Sequence, residues 1–164
     1  MTLYLIRHAH AGDGNPDDPG DHLRPLSRKG QKQAQALATA CLSLGLRFDR
    51  LFASPYTRAA ETASSLTPQS REGRLELLAE LTGDDYAQLL GALRGSWRRR
   101  DRSVALVGHE PYLGELLSYL LCGDAGVLST RFTKGMLVRI DGPLKAGQME
   151  LRCALTLALI KKLA

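Results

Sequence analysis

Short apolar stretches alternate with longer amphipathic ones along the 164 residues of this chain, and this alternation restricts the fold more than any other feature. Residues 3–6, 50–53 and 103–107 have the character of buried strands. Helical periodicity follows them, most clearly in the leucine stripe after Pro111. Strands that alternate with helices predict an α/β fold with a mostly parallel central sheet, layered between helices.

Capping residues indicate where several helices begin and end. Ser27 is predicted to be the N-cap of a helix that runs to about Leu44. Ser54 is predicted to cap a second helix, with Pro55 at its first position, where the missing N–H costs nothing. The other predicted elements are a weak strand at 75–78, helices led by Asp84-Asp85 and by Pro111, an antiparallel pair at 136–140 and 148–153, and a short final helix.

Length and composition exclude several classes of protein. The length is typical of one domain, so residues 1–164 are predicted to form a single domain. No uncharged apolar block reaches the ~18 residues that a membrane span needs. The apolar run Thr2–Ile6 is too short for a signal peptide, so we expect a cytoplasmic protein. Three widely spaced cysteines fit neither a disulfide framework nor a paired-cysteine zinc site.

Polar segments follow three of the predicted strands directly. They are Arg7-His8-Ala9-His10, Ser54-Pro55-Tyr56-Thr57-Arg58 and Gly108-His109-Glu110-Pro111. In open α/β sheets, ligands bind at the carboxyl ends of the strands. If the three strands are parallel, two arginines, two histidines and two helix N-termini converge at one edge of the sheet.

Such a group of side chains favours a phosphoryl ligand. Guanidinium groups offer paired planar donors to an oxyanion, and helix N-termini offer free N–H groups. Neighbouring cations disfavour protonation of an imidazole, so a histidine between Arg7 and Arg58 is expected to be neutral. A neutral imidazole is a nucleophile that can carry a covalent intermediate. The other histidine can donate to the phosphoryl oxygens as charge develops.

The ordered motifs resemble those of a known family, the histidine phosphatase superfamily, from residue 1 to about residue 160. The motifs are Arg7-His8, Ser54-Pro55-x-x-Arg58-Ala59-x-x-Thr62 and Gly108-His109. The short chain is similar to the SixA-type phosphohistidine phosphatases in two further segments, Arg24-Pro25-Leu26-Ser27-x-x-Gly30 and Phe132-Thr133-Lys134-Gly135. The resemblance implies a phosphoglycerate-mutase-like, three-layer α/β/α sandwich.

The resemblance also implies a role for each matching residue. His8 is the expected phosphorylated nucleophile, and Arg7, Arg58 and His109 are expected to hold the phosphoryl group. Glu80 matches, more loosely, an acid that protonates the leaving group. No metal or organic cofactor is implied, because the arginines neutralise the charge that Mg²⁺ neutralises at other phosphoryl-transfer sites.

The expected substrate is a phosphorylated protein. The segment between Thr62 and Glu80 is too short for the covering subdomain found in relatives that act on sugar phosphates, so we expect an open cleft suited to protein phosphohistidine. One alternative is a small-molecule phosphomonoesterase that uses the same pocket. Another is a non-catalytic module that binds phosphorylated partners, although a pure binding module has no need of His8.

Three other interpretations are disfavoured. His8-x-His10 resembles a metal pair of barrel hydrolases, but such a barrel needs ~250 residues. The acidic loop at 13–18 departs from an EF-hand, with Asp18 at the sixth place and Arg24 at the twelfth. The basic run at 97–102 lacks interleaved aromatic residues and is predicted to be a solvated turn. We therefore expect no nucleic-acid partner and no membrane partner.

Overall fold

The computed structural model describes residues 1–14, 17–96, 98 and 100–163. Asn15 and Pro16 of the acidic loop and Trp97 and Arg99 of the basic run lie outside the described residues. The strands are β1 (Thr2–Arg7), β2 (Arg50–Ala53), β3 (Glu76–Leu77), β4 (Ser103–Gly108), β5 (Leu137–Asp141) and β6 (Glu150–Leu155). The α-helices are α1 (Arg28–Ser43), α2 (Thr57–Ser64), α3 (Tyr86–Ser96), α4 (Tyr112–Cys122) and α5 (Leu157–Leu163).

The six described strands form one mixed sheet in the order β3-β2-β4-β1-β5-β6. The strands β3, β2, β4 and β1 are parallel, and β5 and β6 add an antiparallel pair beside β1. Arg7, the last residue of β1, lies opposite Gly108, the last residue of β4. This register places His8 and His109, the next residue on each chain segment, side by side at one edge of the sheet.

Helices cover both faces of the sheet. Side chains alternate between the two faces along each central strand, and both sets are apolar. Leu3 and Leu5 of β1 pack with the leucines of α3 and α4 in one apolar cluster. Tyr4 and Ile6 point to the opposite face and pack with α1, α2 and α5 in a second cluster. Burial on both faces explains why β1 and β4 have continuous apolar sequences. The predicted three-layer α/β/α architecture is confirmed.

The helix boundaries agree with the sequence at α1 and differ at α2. Ser27 is the N-cap of α1, and its hydroxyl accepts a hydrogen bond from the N–H of Gly30 at 3.1 Å. The predicted cap at Ser54 is wrong, because α2 begins at Thr57 with Tyr56 as its N-cap. The Ser54 side chain is instead buried at the end of β2, where it accepts the N–H of Tyr56 at 3.2 Å.

Residues 65–78 connect α2 to the edge of the sheet without an inserted subdomain. All of them are described, and their regular structure consists of the 3-10 helix Thr67–Gln69 and the two-residue strand β3. A further 3-10 helix, Ala79–Thr82, follows β3. In the described part of the chain, no helix combines the length and apolar character that a membrane crossing requires.

Candidate active site

A cleft of about 430 Å³ opens at the carboxyl ends of β1 and β4. Side chains that follow β1, β2 and β4 meet there, as expected for a parallel α/β sheet. Four cationic side chains and three carboxyl groups line it, together with both histidines. The lining residues are Arg7, His8, Gly12, Asp13, Gly14, Asp21, Arg24, Arg58, His109, Glu110 and Lys134.

His8 is buried in a defined tautomer. Its Nδ1 lies 2.6 Å from the carbonyl oxygen of Ala9, which can only accept a hydrogen bond, so Nδ1 carries the proton. The pKa of His8 is lowered to about 4, mainly by burial; the Ala9 hydrogen bond opposes this shift, and the positive charges of Arg58 and Arg7 add to it. The ring is therefore neutral at pH 7, with the lone pair on Nε2 free to attack an electrophile.

Thr62 of α2 fixes the chain segment that carries His8. Its hydroxyl oxygen accepts the N–H of Ala9 at 3.1 Å, and its proton is donated to the carbonyl of Arg58 at 2.7 Å. Both hydrogen bonds are buried. One fully buried hydroxyl thus couples the segment after β1 to the first turn of α2, which carries Arg58.

His109 faces His8 across the cleft, with 5.0 Å between the ring centroids. Its Nε2 is hydrogen-bonded to the hydroxyl of Ser54 at 2.8 Å. Burial is the main reason that the pKa of His109 is lowered to about 3; the charge that His8 gains when it is protonated first, and the charge of Arg58, lower it as well. The ring is neutral at pH 7 and holds one proton, and Ser54 can either donate to it or accept from it.

Arg7 is held by the loop that precedes β5. One of its terminal nitrogens donates to the carbonyl of Phe132 at 2.5 Å, and the N–H of Phe132 donates to Glu110 Oε1 at 3.0 Å. The backbone of Phe132 therefore links the Arg7 guanidinium to the Glu110 carboxyl group. Burial raises the pKa of Glu110 above its ordinary value, despite the Phe132 hydrogen bond and the nearby Arg7.

Arg58 is oriented by the loop between β1 and α1. It donates to the carbonyl of Asp21 at 2.8 Å and pairs with the Asp21 carboxylate at 3.2 Å. Its guanidinium also lies over the ring of Tyr56, 5.0 Å from the centroid. Asp21 in turn accepts a hydrogen bond from Arg24 at 2.8 Å, which is the main reason that its pKa is lowered.

Unpaired polar atoms are concentrated around this cleft. Arg7 Nε, Arg58 Nε and His109 Nδ1 are buried, and none of them has a hydrogen-bond partner among the described residues. Leaving a buried polar group unpaired costs about 1–3 kcal/mol, so such groups point to a functional site. Two guanidiniums and a neutral imidazole around one hollow form a site that suits an oxyanion with several acceptor oxygens.

His10 lies outside this group and contacts the start of α1. Its Nδ1 accepts the N–H of Gly12 at 3.1 Å and lies 2.7 Å from the hydroxyl of Ser27. Within the described ranges, no cluster of three or more histidine, cysteine or acidic side chains is arranged to hold a metal ion. His10 thus connects the segment after β1 to the N-cap of α1.

Glu80 does not line the cleft, although Leu81 and Thr82 beside it line an adjoining groove that includes Arg58 and His109. It is half-buried on the 3-10 helix Ala79–Thr82 and is not among the described residues that line the cleft. Its assignment as a proton donor stays a prediction. Sequence reasoning did not assign Asp21, Glu110 or Lys134 to the cleft, although Glu110 and Lys134 lie in segments that the sequence motifs had singled out.

Comparison with known families agrees with this geometry. Residues 3–111 match the model of the histidine phosphatase superfamily, branch 1. The chain belongs to this superfamily. This membership supports phosphatase activity, which is a hydrolase reaction. Arg7, His8, Arg58 and His109 all lie within the matched region.

Two similar sequences extend the comparison. An uncharacterised protein of Picosynechococcus sp. is 33% identical in an alignment of 139 residues that covers 77% of this chain and 76% of that protein. The phosphohistidine phosphatase SixA of Escherichia coli strain K12 is 26% identical over 132 residues, covering 79% of this histidine phosphatase and 80% of SixA.

Solved structures show the same fold. The protein histidine phosphatase SixA complexed with tungstate superposes with a TM-score of 0.79 at 21% identity, covering 96% of this chain and 98% of that one. The alpha-ribazole phosphatase from Shigella flexneri has a TM-score of 0.67 at 20% identity, covering 96% and 97%. The shared architecture includes phosphatases named for different substrates, so the fold alone leaves the substrate open.

Proposed function

We propose that this histidine phosphatase removes the phosphoryl group from phosphohistidine in a protein, through a phosphorylated His8. The observation that carries the proposal is the state of His8: neutral, buried, with Nε2 free, and placed between the guanidiniums of Arg7 and Arg58 and the ring of His109. In this arrangement Arg7, Arg58 and His109 bind the phosphoryl oxygens.

In the first step the lone pair of His8 Nε2 forms a bond to phosphorus. The P–N bond to the substrate breaks, and its electron pair stays on the substrate nitrogen. A substrate ring that is protonated on its other nitrogen leaves as neutral imidazole, so no acid of the enzyme is required. Charge that develops on the phosphoryl oxygens is stabilised by donors that are already in place.

In the second step water replaces the imidazole of His8. The oxygen of water bonds to phosphorus while the P–N bond to Nε2 breaks, and the electron pair returns to His8. Both hydrogen atoms of the water leave with the product as dihydrogen phosphate. His8 is then neutral again, with its Nδ1 proton still donated to Ala9.

Three further observations support a protein substrate. Residues 65–78 form no covering subdomain, which leaves room for a bulky substrate beside the cleft. Glu80 does not line the cleft, and a phosphohistidine substrate needs no acid there. SixA of E. coli, to which the chain is similar, is named a phosphohistidine phosphatase.

The test compares phosphate release from a phosphohistidine-bearing protein and from a panel of phosphate esters. We expect kcat/KM to be higher for the phosphohistidine protein than for any ester. We expect His8→Ala to lower turnover of every substrate by about 10⁴-fold or more, since removal of a catalytic nucleophile costs up to about 10⁶-fold. Full activity in His8→Ala would exclude His8 as the nucleophile, and an ester preferred over the protein would exclude the proposed substrate.

A small-molecule phosphomonoesterase is the second candidate, and Glu110 is the observation that favours it. Glu110 lines the cleft and also an adjoining groove of about 320 Å³ that Tyr56, Asp84 and Tyr112 border. A carboxyl group whose pKa is raised can protonate an alkoxide leaving group, which an ester requires and phosphohistidine does not.

Matched variants separate the two carboxyl candidates. Glu110→Gln keeps an oxygen that accepts from Phe132 but cannot supply the proton, and Glu80→Gln makes the same change outside the cleft. If Glu110 is the acid, Glu110→Gln lowers kcat for esters by about 10²-fold or more and spares phosphohistidine. If Glu80 is the acid, the loss occurs in Glu80→Gln instead.

A further inference from the structure

A basic groove lies between α1 and α5. One section, of about 450 Å³, is lined by Arg28, Lys29, Lys32, Gln33 and Lys161. A second section, of about 460 Å³, shares Lys32 and Lys161 and continues along α1 over its small side chains. We call the two sections together the α1–α5 groove.

The basic side chains of the α1–α5 groove have no acidic partner among the described residues. The sequences of α1 and α5 contain five lysines and arginines and no aspartate or glutamate. Arg28, Lys29, Lys32 and Lys161 are exposed, and within the described residues no carboxylate forms an ion pair with any of them. Elsewhere on the molecule arginines such as Arg74 and Arg152 have acidic partners. The groove therefore attracts anionic groups from outside the chain.

Helix stability does not explain this distribution of charge. The first turn of α1 contains Arg28 and Lys29 and no acidic residue. The N-terminal end of a helix carries partial positive charge, which favours acidic side chains and disfavours basic ones. Because the local effect on folding is unfavourable, the basic side chains are better explained by an interaction with another molecule.

The groove lies near the active-site cleft, although the two share no described lining residue. Gln33 lines the groove, and its side-chain oxygen accepts the N–H of His10, two residues after His8, at 2.9 Å. Lys134 lines the cleft, and its pKa is lowered by burial and by neighbouring cations that include Lys29 of the groove. The basic residues at the start of α1 thus lie close enough to the phosphoryl site to act on the same bound protein.

We propose that the α1–α5 groove docks an acidic surface of the phosphorylated protein while the cleft holds its phosphoryl group. The inference rests on the proposed function and adds the kind of partner: a protein whose phosphohistidine is flanked by aspartate or glutamate. Charge complementarity carries it, since the groove offers cations without partners beside the site of reaction. The attraction raises the rate of encounter and is weakened by salt.

The test uses three probes: phosphoramidate, a phosphohistidine peptide flanked by glutamates, and the same peptide flanked by lysines. We expect kcat/KM for the glutamate peptide to exceed that for the lysine peptide by about tenfold or more at low salt, with the difference shrinking as salt rises. Turnover of phosphoramidate tests the P–N chemistry without the groove. If no phosphohistidine peptide and no phosphoramidate is hydrolysed, the proposed function fails; if the peptides are hydrolysed equally well, only the docking inference fails.

Charge reversal locates the docking surface. Lys32→Glu is expected to lower kcat/KM for the glutamate peptide by about three- to tenfold and to leave phosphoramidate turnover unchanged. Lys145→Glu is the matched control, because it makes the same charge change on an exposed residue. Lys145 follows β5, and the last residue of β5 pairs with the amino end of β1, away from the cleft. An equal loss in both variants would show a general charge effect and overturn the proposal.

A nucleic acid is the competing occupant of a basic groove. A single-stranded RNA oligonucleotide and an unphosphorylated glutamate peptide are therefore compared as inhibitors of glutamate-peptide turnover. We expect inhibition by the peptide that is lost in Lys32→Glu. Stronger inhibition by the RNA, lost in the same variant, would assign the groove to nucleic acid and contradict the proposal.

Discussion

At the scale of single residues, the site depends on keeping two imidazoles uncharged among arginines. An exposed histidine has a pKa near 6.5, whereas burial and neighbouring cations lower the pKa of His8 to about 4 and that of His109 to about 3. The hydrogen bond from His8 Nδ1 to Ala9 then determines which nitrogen has the lone pair. Nucleophilicity thus follows from burial, charge and a single backbone carbonyl.

Thr62 gives a prediction at this scale. Thr62→Val removes the hydroxyl that accepts from Ala9 and donates to Arg58, and it leaves the Ala9 N–H buried without a partner. We expect the variant to lose about 1–3 kcal/mol of stability and to have a lower kcat. Urea denaturation and steady-state turnover measure the two effects.

Thr62→Ser is the control, because it keeps the hydroxyl and removes only a methyl group. We expect Thr62→Ser to retain most of the wild-type kcat. If valine and serine have the same effect on kcat, the hydroxyl does not position His8, and the packing of the methyl group matters instead.

The sequence was sufficient for the residues at strand ends and insufficient for those that reach the cleft from elsewhere. Arg7, His8 and His109 follow apolar strands directly, so the geometry of a parallel sheet places them together. Asp21 comes from the loop between β1 and α1, and its contact with Arg58, 37 residues away, holds it at the cleft. No local pattern encodes such a contact, which is tertiary.

At the scale of elements, the start of α1 is packed closely against the segment after β1. Gly30 lies in the first turn, and a Cβ built there would be 1.8 Å from the carbonyl oxygen of His10. That carbonyl also accepts the N–H of Ser27, the N-cap, at 3.0 Å. Glycine at this position therefore allows α1 to begin next to the residues that carry the chemistry.

Gly30→Ala is predicted to be destabilising for this reason. Either α1 or the His10 carbonyl must shift, at a cost of about 1–3 kcal/mol, and turnover falls because His8 is two residues away. Gly91→Ala in α3 is the matched control: its Cβ meets nothing within 4 Å, and alanine is the better helix former by about 0.5–1 kcal/mol. Thermal unfolding compares the two. A stable, fully active Gly30→Ala would contradict the close packing.

The boundary of α2 shows why a local capping signal was misleading. Ser54-Pro55 fits a helix start, yet α2 begins at Thr57. The Ser54 hydroxyl is engaged with the N–H of Tyr56 and with His109, which comes from a distant strand end. The Ser27 hydroxyl also contacts His10, yet it accepts the N–H of Gly30, and there the capping prediction is confirmed. At Ser54 the backbone turns at Tyr56 before the helix begins, so the hydroxyl serves the site and not a helix N-terminus.

At the scale of the whole molecule, the burial of two neutral histidines links stability to pH. Both pKa values are lower in the folded chain than the ordinary value near 6.5, so the unfolded chain binds more protons below that pH. The two histidines therefore do not reduce the free energy of unfolding well above pH 6.5. As the pH falls from 6.5 toward 4, they lower it progressively.

We predict a loss of roughly 2 kcal/mol for each of the two histidines between pH 6.5 and pH 5. His8→Asn removes one titrating ring, so its unfolding free energy should fall by about half as much over the same range. Urea denaturation at a series of pH values gives both slopes. Equal slopes in the wild type and in His8→Asn would show that His8 is not held neutral by the fold.

Isolation of the phosphorylated enzyme tests the central mechanism most directly, because it also separates catalysis from simple binding of a phosphorylated partner. The enzyme is mixed with a protein carrying ³²P-phosphohistidine, quenched in alkali within the first turnover, digested, and analysed by mass spectrometry. We predict label on the peptide that contains His8, its disappearance when excess unlabelled substrate is added, and no label in His8→Asn. Label on another residue, or rapid turnover with no labelled enzyme at any quench time, would contradict the mechanism.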